Sequence, residues 1–166
     1  MSEAVTGMKG SAQPVAFTLH EAIFQDRFLS VEEEEQLPEF AGFDFSLALD
    51  RPSPRRLVVA LGFALDDGFP YDVSVTYAAH FEMDESVSEE EWKDIAYRVA
   101  PALIYPYIRE LVSNLTSRWY EPELVLPYVV DLDFSGEGIE IPPPRSESDD
   151  SEVADAGAET VTERNG

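Results

Sequence analysis

Apolar and polar residues alternate over three consecutive runs in the middle of this chain, and that period of two restricts the fold more than any other feature. Phe43, Phe45, Leu47 and Leu49 share one parity, and after a turn around Arg51, Pro52, Ser53 and Pro54 the pattern resumes at Leu57, Val59, Leu61, Phe63 and Leu65. Asp66, Asp67 and Gly68 make the next turn, and Tyr71, Val73, Val75, Tyr77, Ala79 and Phe81 follow. Successive side chains of a strand point to opposite faces, so these runs predict an antiparallel meander of three strands joined by short turns. The other parity of the third run reads Asp72, Ser74, Thr76, Ala78, His80 and Glu82, which makes one face of the sheet apolar and the other wet. The stretch from Val15 to Leu29, with Phe17, Leu19, Ile23, Phe24 and Phe28, is rich in strand formers but changes parity along its length. It predicts a fourth strand, bulged or bent.

A sheet with one apolar face needs a cover, and the residues beyond Phe81 supply it. Ser88 followed by Glu91 is a capping-box pattern, and Trp92, Ile95, Ala96 and Val99 come next at helical spacing. They predict a short helix over residues 89–99 that Pro101 interrupts. Leu103, Ile104, Tyr107, Ile108, Leu111, Val112 and Leu115 then predict an amphipathic helix ending near Arg118. Pro106 either marks the first turn of that helix or kinks it, if the helix has already begun at Pro101. Pro122 opens an extended arm with Leu124, Leu126, Tyr128, Val129 and Val130. The expected fold class is α+β, a four-stranded antiparallel sheet with one face covered by C-terminal helices.

A chain of 166 residues buries one ordinary core. The expected organisation is a flexible arm over 1–13, one domain over 14–141, and a disordered acidic tail over 142–166. Pro142, Pro143 and Pro144 stop regular structure, and residues 145–166 hold seven Asp or Glu against two Arg. The run Glu32 to Glu35 reads as a solvated connection.

The net charge of -23 repels phosphate backbones and anionic lipid, so nucleic acid and membrane are poor partners and basic proteins good ones. The same charge also serves a chain that must show apolar surface without self-association, or simply maintains solubility. The absence of cysteine excludes disulfides, thiol chemistry and thiolate metal sites. The opening MSEAVTGMKG has no basic region and no apolar stretch of a signal peptide, and no apolar run long enough to span a bilayer follows, which predicts a cytoplasmic protein without membrane insertion.

Catalytic patterns are missing. The chain has no Gly-rich phosphate loop, no G-x-S-x-G and no H-E-x-x-H. Its two histidines, His20 and His80, fall inside expected strands. His80, Glu82 and Asp84 alternate onto one face, but one imidazole and two carboxylates match a zinc site poorly, and an ordinary polar sheet face is expected. With 34 Asp and Glu, an acid/base pair can be nominated anywhere and so carries no weight. The sequon at Asn114 lies inside the expected amphipathic helix and is read as accidental. The expectation is a non-enzyme with no cofactor, no metal and no catalytic residue.

Residues 100–126 read APALIYPYIRELVSNLTSRWYEPELVL, and Pro101, Pro106, Tyr107, Arg109, Glu110, Ser117, Arg118, Pro122, Leu124 and Leu126 follow a recognisable order. This run resembles the helix and following loop of the SecB family, and the resemblance extends over about residues 15–130. It implies an ATP-independent holding chaperone for unfolded or slowly folding polypeptides, with preproteins for export as clients, assembled as a homotetramer from two dimers. Candidates for the client groove or a subunit interface are Trp92, Tyr105, Tyr107, Leu111, Trp119, Tyr120, Leu124 and Leu126. Members also engage the SecA translocation ATPase through acidic residues on the exposed sheet face; Asp26 occupies one such position, while the other falls at Ser74 with Asp72 nearby. Two further departures are Trp119, where a Gly is usual, and the acidic DESVSEEE after Phe81 and its two neighbours. A chaperone dedicated to one labile partner such as an antitoxin, or a non-chaperone adaptor on the same fold, are the alternatives.

Overall fold

The protein was analysed as a computed structural model, which describes residues 12–27, 42–65, 69–118, 124–128, 132–136 and 138–145. Strands β1 (Ala12–Asp26), β2 (Phe43–Ser53), β3 (Arg56–Leu65) and β4 (Tyr71–Met83) make one antiparallel sheet in the order β1-β4-β3-β2. The meander is therefore β2, β3 and β4, and the first strand adds to its far side. Leu57, Val59, Leu61 and Phe63 of β3 and Val73, Val75, Phe81 and Met83 of β4 are almost wholly buried, so the alternating parity does face a core.

The expected irregularity of β1 is a pair of bulges. Its register against β4 shifts between Pro14 and Ala16 and again between Leu19 and Glu21. Each extra residue reverses the parity. Phe17 consequently stands opposite Ala79 and Leu19 opposite Tyr77, while Phe24, of even number, stands opposite Val73 on the same covered side. Phe28, Leu29, the Glu32 to Glu35 run and the turn at Asp66 to Gly68 lie outside the described residues.

The cover departs from expectation in one respect. Helix α1 (Glu89–Asp94) does not end before Pro101; it continues through a π-helical turn (Ile95–Val99) into α2 (Ala100–Thr116). The capping box is present, with Ser88 N–H donating to the Glu91 carboxylate at 2.8 Å and Glu91 N–H to Ser88 Oγ at 3.3 Å. A proline inside a helix lacks the N–H that its residue i-4 would accept, and its ring crowds that carbonyl. The wider turn ahead of Pro101, in which Ala100 N–H reaches Ile95 O, gives the ring room. The Tyr97 carbonyl that Pro101 cannot serve accepts the backbone N–H of Phe134 instead, at 3.2 Å. Pro106 lies within α2 at an exposed position, as does Ala102, so water can reach the carbonyl it leaves unserved.

α2 lies across β4 and β3 and buries Ile104, Ile108 and Val112 completely. Each such side chain stabilises by about 1.5–3 kcal/mol on burial. Three side chains of α2 then hold the chain that follows. Thr116 Oγ1, fully buried, donates to Val112 O at 2.9 Å and accepts Leu124 N–H at 3.2 Å. Arg109 Nε donates to Leu126 O at 3.1 Å, and the Tyr105 hydroxyl donates to Pro127 O. Leu126 is thereby pressed into the core at 1% exposure. β1 begins at Ala12, within the stretch expected as a flexible arm, and residues 142–145 of the expected tail are among those described; most of both termini is not.

Candidate functional site

Two features on the covered side of the sheet remain accessible, one apolar and one of mixed polar and apolar lining. The first lies where β1 passes α2. Tyr107 is 41% exposed and stacks on Phe17 at 4.9 Å, with Tyr77 5.8 Å away. Leu19 is exposed beside them in β1, and Leu111 is half-buried one turn along α2. A ring in this position has been placed by β1's first bulge, since without it Phe17 faces the other side of the sheet.

The second feature is a hollow of about 760 Å³ beside α1, lined by Arg51, Val87, Trp92, Lys93, Tyr97 and residues 138–141 among others. The Arg51 guanidinium sits 4.2 Å from the centre of the Trp92 ring, a cation–π contact. Arg51 Nε is buried without a hydrogen-bond partner among the described residues. The Tyr97 hydroxyl donates to the Ile139 carbonyl across the hollow.

The candidate residues from the sequence divide into two groups. Trp92, Tyr105 and Leu126 are buried, at 7%, 5% and 1% exposure, so they shape walls rather than present rings to a ligand. Tyr107 is exposed, and Leu111 and Leu124 are half-buried. Trp92 and Tyr107 do not share one groove, because a helical rise of about 1.5 Å per residue puts them on the order of 20 Å apart. Trp119 and Tyr120 lie outside the described residues.

Asp26 and Asp72 are not companions on the exposed sheet face. Asp26 stands opposite Tyr71, on the parity of the covered side, whereas Asp72 stands opposite Gln25 on the wet side. Asp72 also takes a hydrogen bond from Arg27 Nε at 2.8 Å, which occupies part of its carboxylate.

Among the described residues the shifted groups are few. The Tyr105 and Tyr71 hydroxyls are raised in pKa by burial, with Arg109 acting in the opposite sense on Tyr105. The other shifted groups belong to surface pairs or caps, such as Glu85, held low by hydrogen bonding to Arg55. His80 hydrogen-bonds Thr18 at 3.2 Å, and no group of three His, Asp or Glu among the described residues is disposed to hold a metal. No helix among them is long and apolar enough to cross a membrane. What the arrangement can do is bind: it offers rings, aliphatic walls and edge backbone groups.

Sequence reading missed Arg51, Ile139 and Ile141 as part of a site. Ile139 and Ile141 stand at strand spacing directly before the three prolines, and that alternation was the available signal.

The geometry of sheet, helix and returning arm matches known proteins. The family model described as preprotein translocase subunit SecB matches residues 56–135, from the start of β3 through the arm to just past Phe134. The protein is SecB-like. A solved structure titled as a Mycobacterium tuberculosis SecB-like chaperone in complex with a ChAD peptide from the HigA1 antitoxin is 23% identical, with a TM-score of 0.57 over 72% of this chain and 88% of that one. A Streptococcus agalactiae protein described as of unknown function is 16% identical, covers 70% of this chain and 97% of its own, and has a TM-score of 0.44. None of the curated proteins compared with the SecB-like chain matches it. The family model begins at β3, so β1 with its bulges and the β2 edge lie outside the matched region.

Proposed function

We propose that this SecB-like protein is a cytoplasmic, ATP-independent holding chaperone without enzymatic activity or cofactor. The observation that carries this reading is the hollow beside α1, where the chain's own residues 138–141 line the same walls as Arg51, Trp92 and Tyr97 and the Tyr97 hydroxyl holds the Ile139 carbonyl. A hollow that combines aromatic and aliphatic side chains with polar groups and edge backbone binds extended chain with little regard to sequence. The match to the SecB family model and the likeness to a chaperone solved with a bound peptide support the same reading.

The preferred clients are preproteins awaiting export, and the high negative charge favours basic ones. The narrower reading, one labile client such as an antitoxin, draws support from the peptide in the neighbouring structure. The exposed apolar residues of β1, Val15, Leu19 and Ile23, together with Tyr107, are proposed to be covered by further copies in a homotetramer built as a dimer of dimers. Handover to SecA is the least supported step, because Asp26 and Asp72 fall on opposite sides of the sheet.

The test is suppression of aggregation of chemically unfolded, slowly refolding proteins without ATP, with complexes sized by light scattering. Stoichiometric protection of several unrelated clients by a four-copy complex is expected. Protection of none by the well-folded oligomer refutes the general holding role.

A further inference from the structure

One wall of the hollow beside α1 is the chain's own later segment. Gly138, Ile139, Glu140 and Ile141 line it, and this stretch runs on to Arg145 as a strap without regular secondary structure. Upstream, the strap is moored where Phe134 is buried and its N–H is bound to Tyr97 O. Downstream, Arg145 gives its backbone N–H to Arg51 O at 3.0 Å and its guanidinium to Asp50 at 2.9 Å. Between these points the Tyr97 hydroxyl holds the Ile139 carbonyl, and Ile139 and Ile141 pack partly buried against the core.

Every one of these contacts is generic. β2 is an edge strand, and edge backbone groups accept any extended segment. The isoleucine seats ask only for apolar side chains two residues apart. Asp50 asks for one positive charge, in a chain whose net charge is -23. The charged anchor is also weak: Arg145 and Asp50 side chains are 58% and 40% exposed, and pairs so exposed to water contribute little. Arg51 Nε, buried without an acceptor, is a donor that the strap leaves unused.

We propose that the strap Gly138–Arg145 is an intramolecular competitor for a docking site on β2 and α1. The external occupant is an extended segment with apolar residues at i and i+2 and a Lys or Arg four residues beyond the second, the pattern that Ile139, Ile141 and Arg145 set. The proposal rests on the reading of the protein as a polypeptide holder. A strap on a short tether acts at an effective concentration of about 1 mM, so a site with intrinsic Kd near 0.1 mM shows about tenfold weaker apparent binding.

The probe is a fluorescent peptide of sequence Gly-Ile-Glu-Ile-Pro-Pro-Pro-Arg-Ser, copied from residues 138–146. Its anisotropy is titrated with the full chain and with a full-length Ile139→Ser, Ile141→Ser, Arg145→Ser variant that releases the strap. About tenfold tighter binding to the variant is expected. Adding Asp50→Arg to that variant abolishes the gain, and a peptide with Glu in place of its Arg recovers it. Arg145→Glu alone, at an exposed side chain, gives a smaller gain in the same direction. Equal binding to wild type and to both strap variants, no binding to any, or indifference to the Asp50 charge overturns the proposal. Aggregation suppression by the same proteins separates the two readings. Charge-swapped peptide binding without any suppression refutes the holder alone, and suppression by all variants without peptide binding refutes the strap alone.

Discussion

Replacing Thr116 by valine keeps the shape of a fully buried side chain and deletes its hydroxyl. That hydroxyl accepts the N–H of Leu124 at 3.2 Å, tying the last turn of α2 to the arm, and also donates to Val112 O at 2.9 Å. No cavity forms, so the cost is that of the two hydrogen bonds and of whatever partner is left behind. An orphaned buried donor costs about 1–3 kcal/mol, and Leu124 is only half-buried, which places the expected loss near the lower end, about 1–2 kcal/mol. For a chain of this size that lowers Tm by about 2–8 °C. Thermal and urea unfolding followed by circular dichroism read the global change, while amide hydrogen exchange at Leu124 and Leu126 reads the local one. Thr116→Ser keeps the oxygen and should retain most of the stability and the protection at Leu124. If Thr116→Val matches wild type in both measurements, or Thr116→Ser is as damaged as Thr116→Val, the hydroxyl is not what secures the arm.

Tyr105→Phe removes the donor to Pro127 O at the arm's next residues and should cost about 1 kcal/mol in urea unfolding; combined with Thr116→Val, a double-mutant cycle should show coupling, since both hold one segment. Gly62→Ala puts a Cβ 2.5 Å from Ser46 Oγ on the wet face, but Ser46 is exposed and its hydroxyl can rotate away, so urea unfolding should shift by less than about 1 kcal/mol. Tyr107→Ser should leave the circular dichroism spectrum intact and reduce the assembled mass by light scattering, because its ring is exposed on the surface proposed to be shared. Glu91 has its pKa held low, first by the Ser88 backbone N–H and then by its hydroxyl. A depressed carboxylate contributes stability above its unfolded pKa and loses it as pH falls through the folded one. Helical signal should therefore weaken on acidification through that range, and Glu91→Gln should flatten that part of the titration.

The meander was legible because one-sided burial imposes a strict period, which Leu57 to Phe63 obey without interruption and Tyr71 to Phe81 obey except at half-buried Tyr77 and at Ala78, buried on the other parity. The bulges of β1 were visible only as broken parity: which residues are extra depends on pairing with a strand some 60 residues away. Pro101 was misjudged for a related reason. Its local chemistry opposes a helix, and what lets the helix continue is a wider turn and the N–H of Phe134, neither of which spacing reveals. The site was less legible still. Aromatic residues such as Trp92 and Tyr105 attract attention as ligands, but rings that large are the ones a small core buries. The residues that frame the hollow, Arg51, Ile139 and Ile141, come from an edge strand and from a stretch that looked like the start of a tail.

The bond from Phe134 to Tyr97 has a consequence for the order in which this protein can be finished. On the ribosome, residues 89–116 emerge well before residue 134, and until it does the carbonyl vacated by Pro101 has only water as a partner. β1 is in a similar position at the other end of the chain, made first but paired only with β4, the last strand to appear. Its exposed Val15, Leu19 and Ile23 must wait through the synthesis of the whole meander. A nascent copy of this chain thus presents, for a time, an unpaired apolar strand that its own completion will cover only in part.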